Sequence, residues 1–151
     1  MAGGLPVHIR PFGAADEAAA VALWHDCGLV RPWNDPHKDI ARKLLVQPEL
    51  FLVAVVPARD GMAERLVGTA MAGYDGHRGS VYYLAVAPGH QRLALGRRLM
   101  AEVELRLLRL GCPKVNVLVR TSNARVLHFY DALGYARDEA FSLGKRLIPD
   151  L

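Results

Sequence analysis

The chain has 151 residues, of which 52 % are hydrophobic, and a formal net charge of +4. This length suits one domain with its own core, and it leaves little room for a second. The longest apolar run, residues 50–56, is far below the roughly 20 residues that cross a bilayer, so no membrane partner is expected. Two cysteines, Cys27 and Cys112, provide no disulfide framework, and we expect a soluble, cytoplasmic protein with reduced thiols.

The positive charge is compatible with a nucleic acid or with a small polyanionic ligand. Basic residues are scattered, with a local concentration at Arg92, Arg97 and Arg98, and they form no aromatic-studded basic stripe. We therefore expect a small anionic ligand and no nucleic-acid partner.

The first half of the chain predicts strands and helices in alternation. In chain order these are a strand at residues 7–10, a helix from Asp16 to Gly28, a helix near 37–46, and strands at 50–56 and 65–74. Asp16 is a typical helix N-cap and Gly28 a typical stop. Pro36 suits the first turn of the second helix, because its missing amide hydrogen is not needed there.

The second half predicts a strand at 80–86, a helix at 94–110, a strand at 115–119, a short helix from Ser122 or Asn123 to 133, and a last strand at 141–147. The long helix is the clearest, because five apolar residues share one face: Leu95, Leu99, Val103, Leu107 and Leu110. The order predicts one α/β domain over residues 1–151, a mixed sheet of about six to seven strands flanked by about four helices.

The loop at residues 87–96 links a strand to the start of the long helix. A helix start exposes unpaired amide hydrogens and partial positive charge, which suit a phosphate or pyrophosphate. Gly89 and Gly96 relieve crowding there. The alternative is an ordinary helix start with a solvated basic face. Fingerprints for nicotinamide dinucleotides and for a P-loop are missing, which argues against those cofactors and ATP.

Two motifs resemble those of the GNAT N-acetyltransferases. Residues 84–88, followed by Gln91-x-x-Ala94-x-Gly96, are similar to the family's acetyl-CoA loop, Arg/Gln-x-x-Gly-x-Gly/Ala. Asn123, followed by Phe129-Tyr130-x-x-Leu133-Gly134-Tyr135, resembles the family's second motif at the correct separation. The element order also fits the GNAT fold. Finer matches resemble the YpeA-like subgroup of small bacterial members and lie at residues 31–36, 73–79, 111–114 and 142–147.

One departure from the family pattern lies in the loop, where Ala94 replaces the central glycine and Arg92 stands where glycine is common. An alanine methyl is tolerated at a helical dihedral. The pyrophosphate can therefore still approach if the backbone is helical at Ala94, and we expect a reduced affinity for the cofactor.

The resemblance implies transfer of an acetyl group from acetyl-CoA to a primary amine of a small molecule or peptide. The implied cofactor-binding residues are Leu84, Ala85, Val86, Gln91, Arg92, Leu93, Ala94, Leu95, Gly96, Arg97 and Asn123. The pantetheine arm would pair with residues 84–86, at a splay between this strand and 115–119, and the amide of Ala85 or Val86 would polarise the carbonyl.

Tyr130 matches the family's tyrosine that protonates the leaving thiolate. Its phenol, with a pKa of about 10, is protonated at neutral pH and so suits that role. The alternative is a core-edge aromatic residue beside Leu127 and Leu133. Asn123 has a structural alternative as well, because it can cap the short helix.

The general base is left open. Many members carry a glutamate on the strand equivalent to 80–86, and this chain has none there. The nearby candidates are Tyr82, Tyr83, Asp75 and His77, and a water relay to Asp75 or to a backbone carbonyl is another. The missing glutamate and Ala94 motivate a second hypothesis, a non-catalytic CoA-binding or sensing module.

The acceptor pocket is expected between the loop that joins the first two helices and the turn at Asp75. Trp33, Asp35 and Tyr82 are candidates, with Asp75, for gripping a cationic amine through aromatic faces and carboxylates. Each of two residues has an alternative structural role. Trp33 would anchor its loop in the core, and Asp35 would cap the helix before Pro36. No metal site is expected. A monomer and a homodimer both remain open, since an exposed final strand can pair across a dimer.

Overall fold

The computed structural model describes residues 6–150, except for the side chains of residues 92 and 93. Five strands form one sheet in the order β1-β2-β3-β4-β5. They are β1 His8–Pro11, β2 Phe51–Val56, β3 Arg65–Tyr74, β4 Gly79–Val86 and β5 Val115–Val117. The first four strands pair antiparallel, and β5 joins β4 in parallel. None of the helices in this part of the chain has the length and apolar character needed to cross a membrane.

Four α-helices cover the sheet: α1 Glu17–Asp26, α2 Pro36–Lys43, α3 Leu95–Arg109 and α4 Ala124–Ala132. Asp35 caps α2 and Asn123 caps α4 through their side chains. Gly28 and Gly111 adopt positive φ angles beyond the ends of α1 and α3, a conformation that favours glycine. The predicted α/β class with a mixed sheet and four helices is confirmed.

The sheet separates two apolar clusters. On one face, Leu99 and Val103 of α3 pack on β2 and β3, with Tyr130 of α4 in the same cluster. On the other face, Trp24 of α1 and Ile40 of α2 pack on Phe51. The strand β2 is buried along its whole length because both faces of the sheet are covered. Leu110, predicted on the buried face of α3, follows the end of the helix and is half exposed.

The predicted number of strands, six to seven, is wrong, because the last predicted strand does not form in the described structure. Residues 141–147 form neither a strand nor a helix, and Phe141 and Leu143 are almost fully exposed. A strand exists only through hydrogen bonds to a neighbouring backbone. Among the described residues, no such backbone bond reaches this segment.

Candidate active site

Strands β4 and β5 diverge along their length. They pair only from Gly79 to Val81, opposite Val115 to Val117. Beyond Val81, β4 has no partner on the β5 side within residues 6–150. The backbone edge of residues 82–86 on this side therefore has no strand partner in the described structure, at the position where the resemblance implied a splay.

A β-bulge lies in β4 within this stretch that β5 does not pair with. Thr69 pairs with Ala85 and Met71 with Tyr82, so that Ala70 alone faces both Tyr83 and Leu84. Tyr83 has a φ of 52°, in the left-handed region, which is rare for a bulky residue. Such a bulge leaves an extra residue unpaired and re-aims the side chains around it.

The bulge changes which face of the sheet the side chains occupy. Val81, Leu84 and Val86 belong to the cluster under α3, whereas Tyr83 and Ala85 belong to the cluster under α1 and α2. By strand alternation, Tyr82 also faces α1 and α2. Two consecutive tyrosines therefore point to the same side of the sheet.

A buried network holds the bulge in place. The Trp24 indole N–H donates to the Thr69 hydroxyl at 2.9 Å, and that hydroxyl donates to the Tyr83 carbonyl at 2.7 Å. The Trp24 and Tyr83 rings stack with centroids 3.8 Å apart. Trp24 and Thr69 are both fully buried. Together these contacts hold Tyr83 in its left-handed conformation despite the backbone strain.

The hydroxyl of Tyr83 reaches α2. It donates to Oδ2 of Asp39 at 2.6 Å. Burial, followed by this hydrogen bond, raises the pKa of the Tyr83 phenol far above its usual value, so the hydroxyl stays protonated. The sequence indicated Tyr83 only among the nearby candidates for the base, and it gave no role in the site to Asp39, Thr69 or Trp24. A threonine inside a buried strand is the one local signal that pointed to this network.

The loop before α3 ends in a second left-handed residue. Residues Pro88–Leu93 form a 3₁₀ turn, and Ala94 follows with φ 54° and ψ 26°. The condition that the backbone be helical at Ala94 is therefore not met, because the chain reverses its twist there before α3 begins. An alanine in this conformation carries a steric cost that glycine avoids.

The start of α3 fits an anionic group. Ala94 offers no capping side chain, and the first turn of α3 contains no acidic residue. Among the described residues, no side chain therefore caps the first amide N–H groups of the helix, at the positive end of the helix dipole where an anion is favoured. The Nδ1 atom of His90 in the preceding turn is buried and has no partner among the described residues.

Two further contacts shape this loop. Gln91 donates to the carbonyl of Val86 at 3.1 Å, which ties the loop to the end of β4. A Cβ atom at Gly96 would lie 3.2 Å from the Phe129 ring, so glycine permits the close approach of α4 to α3. The loop is thereby held between the free edge of β4 and α4.

The arginines predicted around the loop do not act alike. Arg97 is exposed. The Arg98 guanidinium donates to the carbonyl of Val7 at 3.0 Å, so its charge is directed at β1 and not at the loop, contrary to expectation. The side chains of Arg92 and Leu93 lie outside the described part of the chain.

Tyr130 lies on α4 within the apolar cluster that also includes Leu84. Its ring meets Phe129 and Tyr135 edge-on, with centroids 5.1 Å and 5.3 Å away. Its side chain is buried, but its hydroxyl makes no hydrogen bond to another described residue. Burial raises the pKa of Tyr130 to about 12. The phenol therefore keeps its proton at neutral pH and has that proton available to donate.

Asn123 caps α4, as its structural alternative predicted. Its Oδ1 accepts from the amide of Val126 at 3.1 Å, which caps α4. The capping bond uses only the oxygen of the side-chain amide.

The predicted acceptor residues divide into two groups. Trp33 and Tyr82 are half exposed on the α1–α2 side, so Trp33 is not a core anchor. The Arg120 guanidinium lies 5.6 Å from the centre of the Trp33 ring and so covers one of its faces. The Asp35 carboxylate caps α2 by accepting from the amides at positions 37 and 38, as its structural alternative predicted.

Asp75 is not brought to the bulge. It lies in the turn between β3 and β4, and its carboxylate accepts from the amides of His77 and Arg78 at 2.8 Å and 2.7 Å. These bonds lower its pKa. Four strand residues, about 13 Å, separate this end of β4 from Tyr83. Asp75 and His77 are thus too distant to serve as a base at the bulge.

Known proteins give an independent comparison. A family model described as the acetyltransferase (GNAT) family matches residues 17–135. An acetyltransferase of Yersinia enterocolitica is 45 % identical over 144 residues, which cover 95 % of this chain and 98 % of that protein.

Solved structures share the fold at low sequence identity. Ard1 from Thermoplasma volcanium superposes with a TM-score of 0.72 and 21 % identity, over 86 % of this chain and 82 % of that one. A structure of AAC(6')-Iy in complex with the bisubstrate analogue CoA-S-monomethyl-acetylneamine gives a TM-score of 0.71 at 15 % identity, over 95 % and 99 % of the two chains.

The family model spans most of the helices and strands described above, and the sequence identity to the Yersinia protein extends over nearly the whole chain. The narrower YpeA-like subgroup stays a prediction. Taken with the diverging strands and the uncapped helix start, these matches show that the chain belongs to the GNAT acetyltransferase family, whose acetyl donor is acetyl-CoA.

Proposed function

We propose that the protein moves the acetyl group of acetyl-CoA to a primary amine of a small molecule or peptide, by direct attack of the amine on the thioester. The observation that carries this proposal is the bulge at Tyr83, in the free edge of β4. The strand that carries the bulge ends at Val86, which Gln91 of the loop before α3 contacts, and the Tyr83 side chain lies on the side of the sheet covered by α1 and α2. A donor and an acceptor can therefore meet at one point of the backbone.

We assign the binding of the cofactor to the backbone edge of β4 and to the loop before α3. Acetyl-CoA supplies the acetyl group in the activated form of a thioester. The amides at the start of α3, from Leu95 to Arg97, would hold its phosphates, with Gln91 fixing the loop and Gly96 keeping α4 close. The free edge formed by Leu84, Ala85 and Val86 would pair with the pantetheine arm.

Two groups of the chain are proposed to act at the reacting atoms. A backbone N–H beside the bulge is proposed to donate to the oxygen on which negative charge develops. Of Ala85 and Val86, Val86 is the one whose N–H faces the free edge, because Ala85 forms a hydrogen-bonded pair with Thr69 of β3. Tyr130 donates its phenolic proton to the departing sulfur. With a pKa raised to about 12, Tyr130 is fully protonated at physiological pH and needs no prior proton uptake.

The acceptor side is assigned to the surface under α1 and α2. Tyr82 and Trp33 offer half-exposed aromatic faces there. Asp39, which accepts from the Tyr83 hydroxyl, is the carboxylate that α2 directs at the bulge. The carboxylate of Asp35 already accepts from the amides that begin α2, and the carboxylate of Asp75 from the amides of its own turn. Asp39 also pairs with Arg42 through Oδ1 at 3.5 Å, but of the three carboxylates it is the one that contacts the bulge. We therefore assign to Asp39 the attraction of a cationic amine, and no base is assigned.

We also propose that residues 1–151 act as one domain in the cytoplasm. The single sheet with its two apolar clusters supports one domain. Two free cysteines suit a reducing compartment.

The test is thiol release from acetyl-CoA with a panel of primary amines, comparing the wild type with Tyr130→Phe. Loss of a general acid lowers kcat by about 10²-fold and leaves the KM for acetyl-CoA within about twofold. Tyr74→Phe, remote from the bulge at the end of β3, is the matched control and should keep full activity. Unchanged kcat in Tyr130→Phe would refute the assigned role. Tight CoA binding without thiol release for any amine would refute acetyl transfer and favour a CoA-binding module.

A further inference from the structure

Helix α2 carries two opposite charges, one turn apart, on the face that meets the sheet. Asp39 and Lys43 are both partly buried and lie about 6 Å apart along the helix axis. Ile40, on the same face, is fully buried in the cluster under α1 and α2. Among the described residues, no ion pair joins Asp39 to Lys43, and the Asp39 carboxylate contacts Arg42 and the Tyr83 hydroxyl instead.

The Lys43 ammonium lies over the paired strands β3 and β4. Gly73 of β3 and Ser80 of β4 are partners in this pairing. A Cβ atom at Gly73 would lie 3.5 Å from Nζ of Lys43 and 3.7 Å from Oγ of Ser80. Because Gly73 has no side chain, the ammonium and the hydroxyl can both approach the same point on the sheet.

The charge of Lys43 is not neutralised within residues 6–150. Lys43 forms no ion pair there, and Glu49 is the one carboxylate that raises its pKa. Burial has the larger effect and lowers that pKa. The amide of Gln47, which also lies beside Gly73, is occupied by the backbone of Tyr74. A half-buried ammonium that has lost part of its hydration without gaining a counter-ion favours an anionic ligand.

These groups lie on the side of the sheet already assigned to the acceptor. Ser80 and Tyr82 project from one face of β4, because alternate residues of a strand share a face. Ser80 is partly exposed and Tyr82 is half exposed, so a ligand can reach both. Along β4, Ser80 lies about 10 Å from Tyr83. This surface is therefore negative at the bulge, through Asp39, and positive at its other end, through Lys43.

The two charges select among amines. A simple cationic amine is attracted by Asp39 and repelled by Lys43, whereas an amine that also carries an anion is attracted at both ends. Because the two side chains leave α2 about 6 Å apart, several bonds should separate the amine of the acceptor from its anionic group.

We propose that the acceptor is a zwitterionic amine: Asp39 attracts its ammonium group, and Lys43 and Ser80 bind an anionic group, a carboxylate or a phosphate, at its other end. This inference rests on the acetyl transfer proposed above and names the class of its acceptor. Lys43 and Ser80 are thus residues that determine specificity, and they take no part in the transfer itself.

The first test compares kcat/KM, measured by thiol release from acetyl-CoA, for amines that differ only in the anionic group. γ-Aminobutyrate and ε-aminocaproate are each paired with their primary amides, and phosphoethanolamine with ethanolamine, so that a carboxylate is distinguished from a phosphate. In at least one pair the anionic member should exceed the neutral one by about tenfold or more, mainly through a lower KM. Equal values in every pair would overturn the inference and leave acetyl transfer intact. No thiol release from any amine would refute the proposed function, and this inference with it.

The second test changes the charge at position 43. Lys43→Met keeps a long apolar stem, so it should lower kcat/KM about tenfold for the anionic amine and less than about twofold for its neutral counterpart. Lys43→Glu should shift the preference from γ-aminobutyrate to putrescine, a diamine of similar length. Lys38→Met, at an exposed lysine of the same helix, is the matched control and should keep the wild-type preference. Equal losses for both amines in Lys43→Met would contradict the assignment, because a merely structural role of Lys43 affects both alike.

A third measurement needs no turnover. With CoA in place of acetyl-CoA, calorimetry measures the binding of the preferred anionic amine. The wild type should bind it about tenfold more tightly than Lys43→Met does, and Lys43→Arg, which keeps the positive charge, should stay within about threefold of the wild type. Circular dichroism checks that each variant keeps the fold. The proposal fails if Lys43→Met binds this amine as tightly as the wild type.

Discussion

Replacing Ala94 by glycine should stabilise the protein, although glycine usually weakens a helix. Ala94 stands in the left-handed conformation at the entrance of α3. This conformation costs an L-residue roughly 1–2 kcal/mol, which glycine avoids. Glycine gains about 0.4–1 kcal/mol of conformational freedom in the unfolded chain, which opposes the effect. The balance is a gain of about 1 kcal/mol, or roughly 2–4 °C in Tm for a chain of this size.

Urea unfolding followed by circular dichroism measures this gain as a higher midpoint with an unchanged m-value. Ala101→Gly is the matched control, because Ala101 is exposed inside α3, where the same substitution should cost about 1 kcal/mol. The two variants should therefore shift the midpoint in opposite directions. If Ala94→Gly destabilises the protein as Ala101→Gly does, the strain assigned to Ala94 is refuted. We also expect Ala94→Gly to bind CoA more tightly, by calorimetry.

Three further predictions concern the core and Tyr130. Thr69→Val leaves a buried indole N–H and the Tyr83 carbonyl without their partner, so it should cost about 1–3 kcal/mol in urea unfolding and lower kcat, while the exposed Thr121→Val changes neither. Gly79→Ala puts a methyl 2.9 Å from a core side chain and should cost about 1–3 kcal/mol, whereas Gly144→Ala, with open space around it, should leave Tm unchanged. Burial raises the pKa of Tyr130 from 10.0 to about 12, so its stabilising contribution is complete below pH 10 and is lost as the pH rises towards 12. Relative to Tyr130→Phe, the wild type should therefore lose about 1.4 kcal/mol per pH unit in that window, and a constant difference would contradict the burial of the phenol.

Most of the helices and strands could be predicted from local pattern. The strand at residues 65–74 has the predicted bounds, and α3 buries four of the five apolar residues that share its predicted face. These patterns report which side chains must leave water, and that requirement is local in sequence. Residues 141–147 show the limit of this reasoning, because their alternation is strand-like but a strand depends on a partner that the pattern does not supply.

The residues of the candidate site also fall into those that local sequence indicates and those that only tertiary contacts bring together. The phosphate loop and Tyr130 could be named from sequence because a helix start and a motif are continuous stretches of chain. Asp39 and Thr69 could not, since their bonds to Tyr83 and Trp24 join residues 44 and 45 positions apart. Asp75 was placed in the acceptor pocket because the sequence does not show how far along β4 the pocket lies.

By itself, the sequence determined the order of the elements, the family and the cofactor, because periodic burial and short motifs are properties of neighbouring residues. The tertiary structure decided that Tyr83 forms a bulge, that Ala94 is left-handed and that Asp35, Asp75 and Arg98 are bound elsewhere. Backbone conformations of this kind are held by contacts between distant segments, and their cost is recovered only once the sheet and its helices have assembled.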